Sequence, residues 1–173
     1  MTPSPFKQAL WRTVGRRLFA CTPHTAHGLR VGLLRAFGAE LSGAVKIRRS
    51  VGIDRPWNLT ARHLAIFGDH AALRLRERVS VGERCVISQH AILATEMLDP
   101  RTGRERSGPI TIGDDCWVAA DTLVLPGTTI HAGTVVGARA LVEGDLPGWT
   151  VAVGQPARGI KARAFVNAPG AGS

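Results

Sequence analysis

Few residues in this 173-residue chain are of the types and spacings that do chemistry. Six histidines are scattered without a ligand spacing, and Cys21, Cys85 and Cys116 form no CxxC pair, so no metal centre is expected. Two groups remain as proton acceptors. Glu96, in "LATEMLDPRTG" at 93–103, is a charged residue placed where a run of small and aliphatic residues breaks off. His90 lies just before it. A general base is worth about 10²–10⁴ in rate, so either residue would matter to a reaction at a hydroxyl. Glu96 would gain basicity from burial beside Trp117, Met97 and Leu98. Alternatively it is a loop carboxylate near Arg101, Arg104 or Arg106, worth little as an exposed pair.

What positions these groups is a repeat. Ile112, Val118, Val124, Ile130, Val136 and Val142 recur every six residues. Four residues after each of the first five comes a small side chain: Cys116, Thr122, Thr128, Thr134 and Ala140. Six matches neither the 3.6-residue helix nor the two-residue strand. It suits a coil of short strands with tight corners, one aliphatic per strand pointing inward. Val81, Ile87 and Leu93 keep the beat before the interruption, and Phe67 and Leu73 before a two-residue slip; around Val45, Val51 and Trp57 it is ragged. Three faces per turn give a parallel β-helix of two turns from residue 112, one at 81–98, and one or two more before it. Stacking pairs the strands and builds one apolar column. It also places Cys85 over Cys116 as core residues, and His90 beneath Asp121, which would orient its imidazole.

The ends differ from the middle. Residues 1–39 read as a basic helical segment, 40–163 as the β-helix, and 164–173 as a disordered tail. In the first, Phe6, Leu10, Val14 and Leu18 recur every four residues with Arg12 and Arg16 opposite, an amphipathic helix. A second short helix ends near Gly38, and both are expected to cap one end of the coil. Of the net +9, residues 1–49 carry +8: nine Lys and Arg against Glu40. That segment is either a solvated face or a surface for anionic lipid headgroups or an acidic glycan, so 1–49 are candidates for peripheral membrane contact. No nucleic-acid motif is present. No apolar run is long enough to span a bilayer, no signal peptide is legible, and sparse cysteines suit a reducing cytoplasm, so the expected location is cytoplasmic or peripheral at the inner membrane face.

The hexads, with "LLRAFGA", "RPWNLT", "SVGERCVIS", "GPITIGDDCWVAADTLVLPGTTI" and the "GQPAR" ending, resemble the hexapeptide-repeat O-acetyltransferases. The colanic-acid-type exopolysaccharide enzymes are the nearest group over about 6–163, with the maltose and nodulation types beside them. The resemblance implies a mainly β fold, a left-handed parallel β-helix with N-terminal capping helices. It implies homotrimers that move acetyl from acetyl-CoA, a co-substrate and not a bound cofactor, to a sugar hydroxyl, with sites between neighbouring subunits. It further implies CoA contacts at Ala120 and Ala138, an aromatic beside the pantetheine arm at Trp117, and phosphate contacts at Arg158 and Lys161. Gly144 stands where a Lys is usual. On the acceptor side Glu96 replaces the family histidine and Leu75 an assisting Asn, with His90 as the other candidate base. Two readings follow: an acetyltransferase acting on a carbohydrate or lipid-linked sugar in exopolysaccharide or lipopolysaccharide synthesis, or an impaired paralogue serving as a CoA-binding or structural partner.

Overall fold

The computed structural model describes residues 4–99 and 102–164; Arg101 and, from residue 165 on, the tail expected at 164–173 lie outside the described residues. The chain is mainly β, a left-handed parallel β-helix of about six turns with N-terminal helices. Each complete turn supplies three short strands and buries one apolar residue from each: Leu41, Ile47 and Ile53 in the first, then Ala61, Phe67 and Leu73, and Val81, Ile87 and Leu93. The hexads from Ile112 supply the next two turns, and Leu146 and Ala152 begin a sixth. A fully buried aliphatic of this kind contributes about 1.5–3 kcal/mol. Successive turns are joined by ladder bonds such as Val86 N–H to the Cys116 carbonyl (2.9 Å) and Ile92 N–H to Thr122 (2.8 Å).

The small-residue slot is a working part of the coil. Thr122, Thr128 and Thr134 are buried, and their hydroxyls donate to the carbonyls of Gly137, Val142 and Pro147. Cys85 and Cys116 occupy the same slot in successive turns, both buried and free, with Sγ 2.9 Å from the Gly113 carbonyl and 3.2 Å from the His131 carbonyl. The Cys85 thiol is pushed up by its contact with Cys116 and by burial, in keeping with a core role. Chain reversal falls on left-handed residues that repeat from turn to turn: Leu64, Arg84 and Asp115 at one corner, His70, His90, Asp121 and Arg139 at the next.

The slips have a location. Ile53 to Ala61 and Leu73 to Val81 each span two residues more than a hexad, and Leu93 to Ile112 spans thirteen more, always at the corner between the third and first faces. A 3-10 turn at Pro56–Asn58 fills the first, and an antiparallel hairpin, Glu96–Leu98 with Glu105–Ser107, fills the last. The ragged start resolves accordingly. Val45 and Val51 occupy the small-residue slot one turn below Ala65 and Ala71, and Trp57 lies in the 3-10 turn.

The faces differ outside as well. Outward residues of the first are Glu40, Thr60, Ser80, Thr111, Thr129 and Asp145. The second shows Lys46 and then Ile66, Val86, Trp117, Val135 and Val151, and the third Gly52, Ala72, Ile92, Leu123 and Leu141. One polar face and two apolar ones are left on a single chain.

The N-terminal helices lie against the first turn, but not with the expected stripe. An α-helical stretch (Pro5–Leu10), a π-helical turn (Trp11–Gly15) and a second α-helical stretch (Arg16–Ala20) follow one another along 5–20. Its buried side is Trp11, Gly15 and Phe19, while Phe6 is 77% and Leu18 55% exposed. The Trp11 indole N–H and the Arg16 Nε both donate to the Ile53 carbonyl (3.1 and 3.2 Å), which turns the aromatic side inward. Gly15 makes room: a Cβ there would sit 2.4 Å from the Trp11 ring. In the next helix, His27–Ala36, Arg30 is completely buried. It donates to the carbonyls of Ile47, Pro23 and His24 and to the Thr22 hydroxyl.

Candidate active site

Five residues expected on the donor side fall along one edge. Trp117 projects from the second face, half exposed, its Nε1 donating to Ser88 Oγ (2.9 Å). The ladder above it runs Trp117, Val135, Val151, Lys161, so Lys161 stands three rungs higher, roughly 14 Å at strand spacing. Ala120 and Ala138 occupy the same place in successive turns at the second-to-third corner, with Arg139 N–H donating to the Ala120 carbonyl (2.9 Å). The terminal strand Ala157–Ala162 folds back antiparallel over Thr150–Gly154 after a cis Gln155–Pro156 bond, and sets Arg158 opposite Val153. Gln155 reaches the Arg139 carbonyl, fastening that turn to the corner. The edge thus offers an aromatic, two bare corners and two exposed cations in order of height. An extended thioester carrier with a phosphate end has matching needs.

Glu96 is elsewhere, at the third-to-first corner, and its expected neighbours are replaced. Trp117 is on another face, and Leu98 is exposed. Arg106 pairs with Glu143 (2.9 Å). The carboxylate instead meets Arg55 through Oε1 (3.5 Å) and Arg76 through Oε2 (3.2 Å), and Arg76 also binds Glu105. Both oxygens of Glu96 thus face a guanidinium, and the cluster ties the hairpin to the two turns below it. The sequence contains the signal that finds Arg76: it lies twenty residues before Glu96, and pairs such as Ile66 with Val86 set one turn at twenty here. Leu75 is fully buried, its N–H donating to Asp54 Oδ1 (2.7 Å), so that position is core.

His90 does share the corner of Ala120 and Ala138, one rung below Ala120 and Asp121, but the expected Asp–His pair does not form. The imidazole stacks on His70, centroids 5.2 Å apart, and the Asp121 carboxylate faces Arg139 Nε at 3.9 Å. Among the described residues no cluster of three metal-ligating side chains exists. No described helix is long and apolar enough to cross a membrane.

A family profile described as bacterial transferase hexapeptide (six repeats) matches residues 109–144. The chain is 41% identical over 159 residues, 91% of its length and 87% of the relative's, to WcaF of Escherichia coli K12, named as a colanic acid biosynthesis acetyltransferase. The fold is that of a maltose O-acetyltransferase from Clostridium difficile 630 (TM-score 0.81, 24% identity, 92% of this chain and 88% of that one). It is also that of a hexapeptide-repeat acetyltransferase from Vibrio cholerae solved with acetyl-CoA (TM-score 0.77, 20% identity, 95% and 93%). By the repeat, and by identity with WcaF along nearly its whole length, the chain belongs to the hexapeptide-repeat acetyltransferases.

Proposed function

We propose that the chain transfers acetyl from acetyl-CoA to a sugar hydroxyl during exopolysaccharide or lipopolysaccharide synthesis, as a homotrimer whose sites each use two chains. One observation carries this reading. The donor-side edge (Trp117, Ala120, Ala138, Arg158, Lys161) and the hairpin that holds Glu96 stand at different corners of one prism. A second copy brings such corners together, and the two apolar outer faces are what a cyclic, heterologous interface would cover. Pantetheine would lie along Trp117 and the bare corners, with Arg158 and Lys161 facing the CoA phosphates. Membrane contact through residues 1–49 is part of the proposal, supported by the outward Phe6, Leu10, Val14 and Leu18 beside Lys7, Arg12 and Arg17. Arg30 is excluded from that role by its burial.

Glu96 is the proposed base. Arg76 already divides itself between Glu96 and Glu105, so its swing to Glu105 alone would leave Glu96 Oε2 open to a hydroxyl. Acetyl transfer to nucleotide-sugar and glycolipid acceptors, followed by CoA release, tests the reading. The wild type should turn over and bind CoA. Glu96→Gln should lose about a hundredfold or more in turnover with CoA affinity nearly unchanged. Full turnover in Glu96→Gln would transfer the role to His90, with His90→Ala as the deciding variant. No transfer by the wild type to any acceptor, despite CoA binding, would favour the impaired-paralogue reading.

A further inference from the structure

A cleft of about 470 Å³ opens between the 5–20 helix and the third face of the first two turns. Its volume is in the roughly 300–1,000 Å³ range of small-molecule sites. Trp11, Phe19, Val51 and Ala72 make its apolar wall, and Gly52 leaves the floor open, since a Cβ there would meet nothing nearer than 3.9 Å.

Three guanidinium groups, Arg16, Arg49 and Arg74, line the same cleft. Arg16 spends its Nε on the Ile53 carbonyl. Among the described residues the side chains of Arg49 and Arg74 make no hydrogen bond or ion pair. The carboxylate present, Asp54, is already engaged by the Leu75 N–H and by Arg55. The cleft therefore holds an uncompensated positive charge against a hydrocarbon surface.

We infer that this cleft binds the diphosphate and first hydrocarbon units of a lipid-linked sugar, so that the acceptor is a glycosyl diphosphate ester of a long-chain alcohol. Guanidinium forks suit the paired phosphate oxygens, and a diphosphate satisfies several at once. The aromatic and aliphatic wall suits an isoprenoid chain, which leaves the cleft beside the outward apolar stripe of the same helix. Arg74 pairs with Ala94 in the ladder and is two residues from Arg76, which grips Glu96. A diphosphate at Arg74 directs its sugar toward the hairpin. The inference rests on the sugar-hydroxyl reading for its biological sense, but not for its test.

The test is calorimetric titration of the full chain with farnesyl diphosphate below its aggregation threshold, with inorganic diphosphate, uridine diphosphate and CoA titrated separately. Farnesyl diphosphate should bind at least tenfold more tightly than inorganic or uridine diphosphate. Arg49→Gln with Arg74→Gln should weaken it tenfold or more, and so should Gly52→Leu, which fills the floor without a backbone collision. Thermal melts on the variants confirm that they are folded. Equal affinity for uridine diphosphate would overturn the lipid assignment in favour of a nucleotide sugar. Absence of farnesyl diphosphate binding, or binding indifferent to all three substitutions, would overturn the site. In either case CoA binding in the same samples leaves the acetyltransferase reading standing, whereas its loss would strike that reading alone.

Discussion

Arg30 illustrates how a side chain's meaning depends on partners far away in sequence. By composition it is one of nine cations in a basic segment; in the fold it joins the 22–24 loop to the Lys46–Ile47 strand through carbonyls that need a donor. Arg30→Met keeps much of the volume and strands those acceptors. We expect a loss of about 3 kcal/mol or more, seen as a lower denaturation midpoint at unchanged slope. An unaltered midpoint would mean that the guanidinium is dispensable to the fold. Glu96 was legible as an anomaly because it interrupts a regular beat, but its partners are not its near neighbours in sequence: Arg76 is signalled only by the twenty-residue turn. Its nearby arginines in sequence, Arg104 and Arg106, lie in the hairpin, whereas its grips, Arg55 and Arg76, come from the turns below. His90 was placed correctly beneath Asp121, yet the ring stacks on His70, a neighbour from the turn below that a pairwise reading toward Asp121 did not weigh.

At the scale of elements, hexads were readable wherever a corner closes in six residues, as from Ile112 to Val142. They blurred where the third corner takes two extra residues, since a shift in spacing changes which residues appear inward. The inward set of the first turn, Leu41, Ile47 and Ile53, was therefore hidden. The N-terminal helix was foreseen and its buried side was not. Two stripes share a four-residue spacing, and the choice between them is made by the Ile53 carbonyl, an acceptor for Trp11 that no local pattern reveals. The rejected stripe is exposed between cations, the makeup of an interfacial helix. In cosedimentation at low salt the chain should bind vesicles rich in anionic lipid and not neutral ones. Leu10→Glu with Val14→Glu, both at exposed positions, should abolish that binding without lowering the melting temperature appreciably. Equal sedimentation with neutral and anionic vesicles, or with both substitutions in place, would reduce the helix to a solvated face.

For the whole molecule, the proposed donor and acceptor sides are divided between corners of one prism, so the proposed site calls for a neighbouring copy. This division was not legible as geometry in the sequence: spacing gives the order of faces, but only the stacked corners show that Ala120 and Ala138 share an edge from which Glu96 is absent. The most direct measurement is complementation between two inactive chains. Glu96→Gln damages the hairpin side, and Ala138→Trp fills the donor corner. Each alone should be nearly inactive in acetyl transfer. After joint unfolding and refolding in equal amounts, about a quarter of the sites in a randomly mixed cyclic trimer combine an intact hairpin with an intact neighbouring corner, so about a quarter of wild-type activity should return. Activity no greater than the sum of the two separate variants, from a mixture shown by native mass spectrometry to contain mixed trimers, would contradict a site shared between chains.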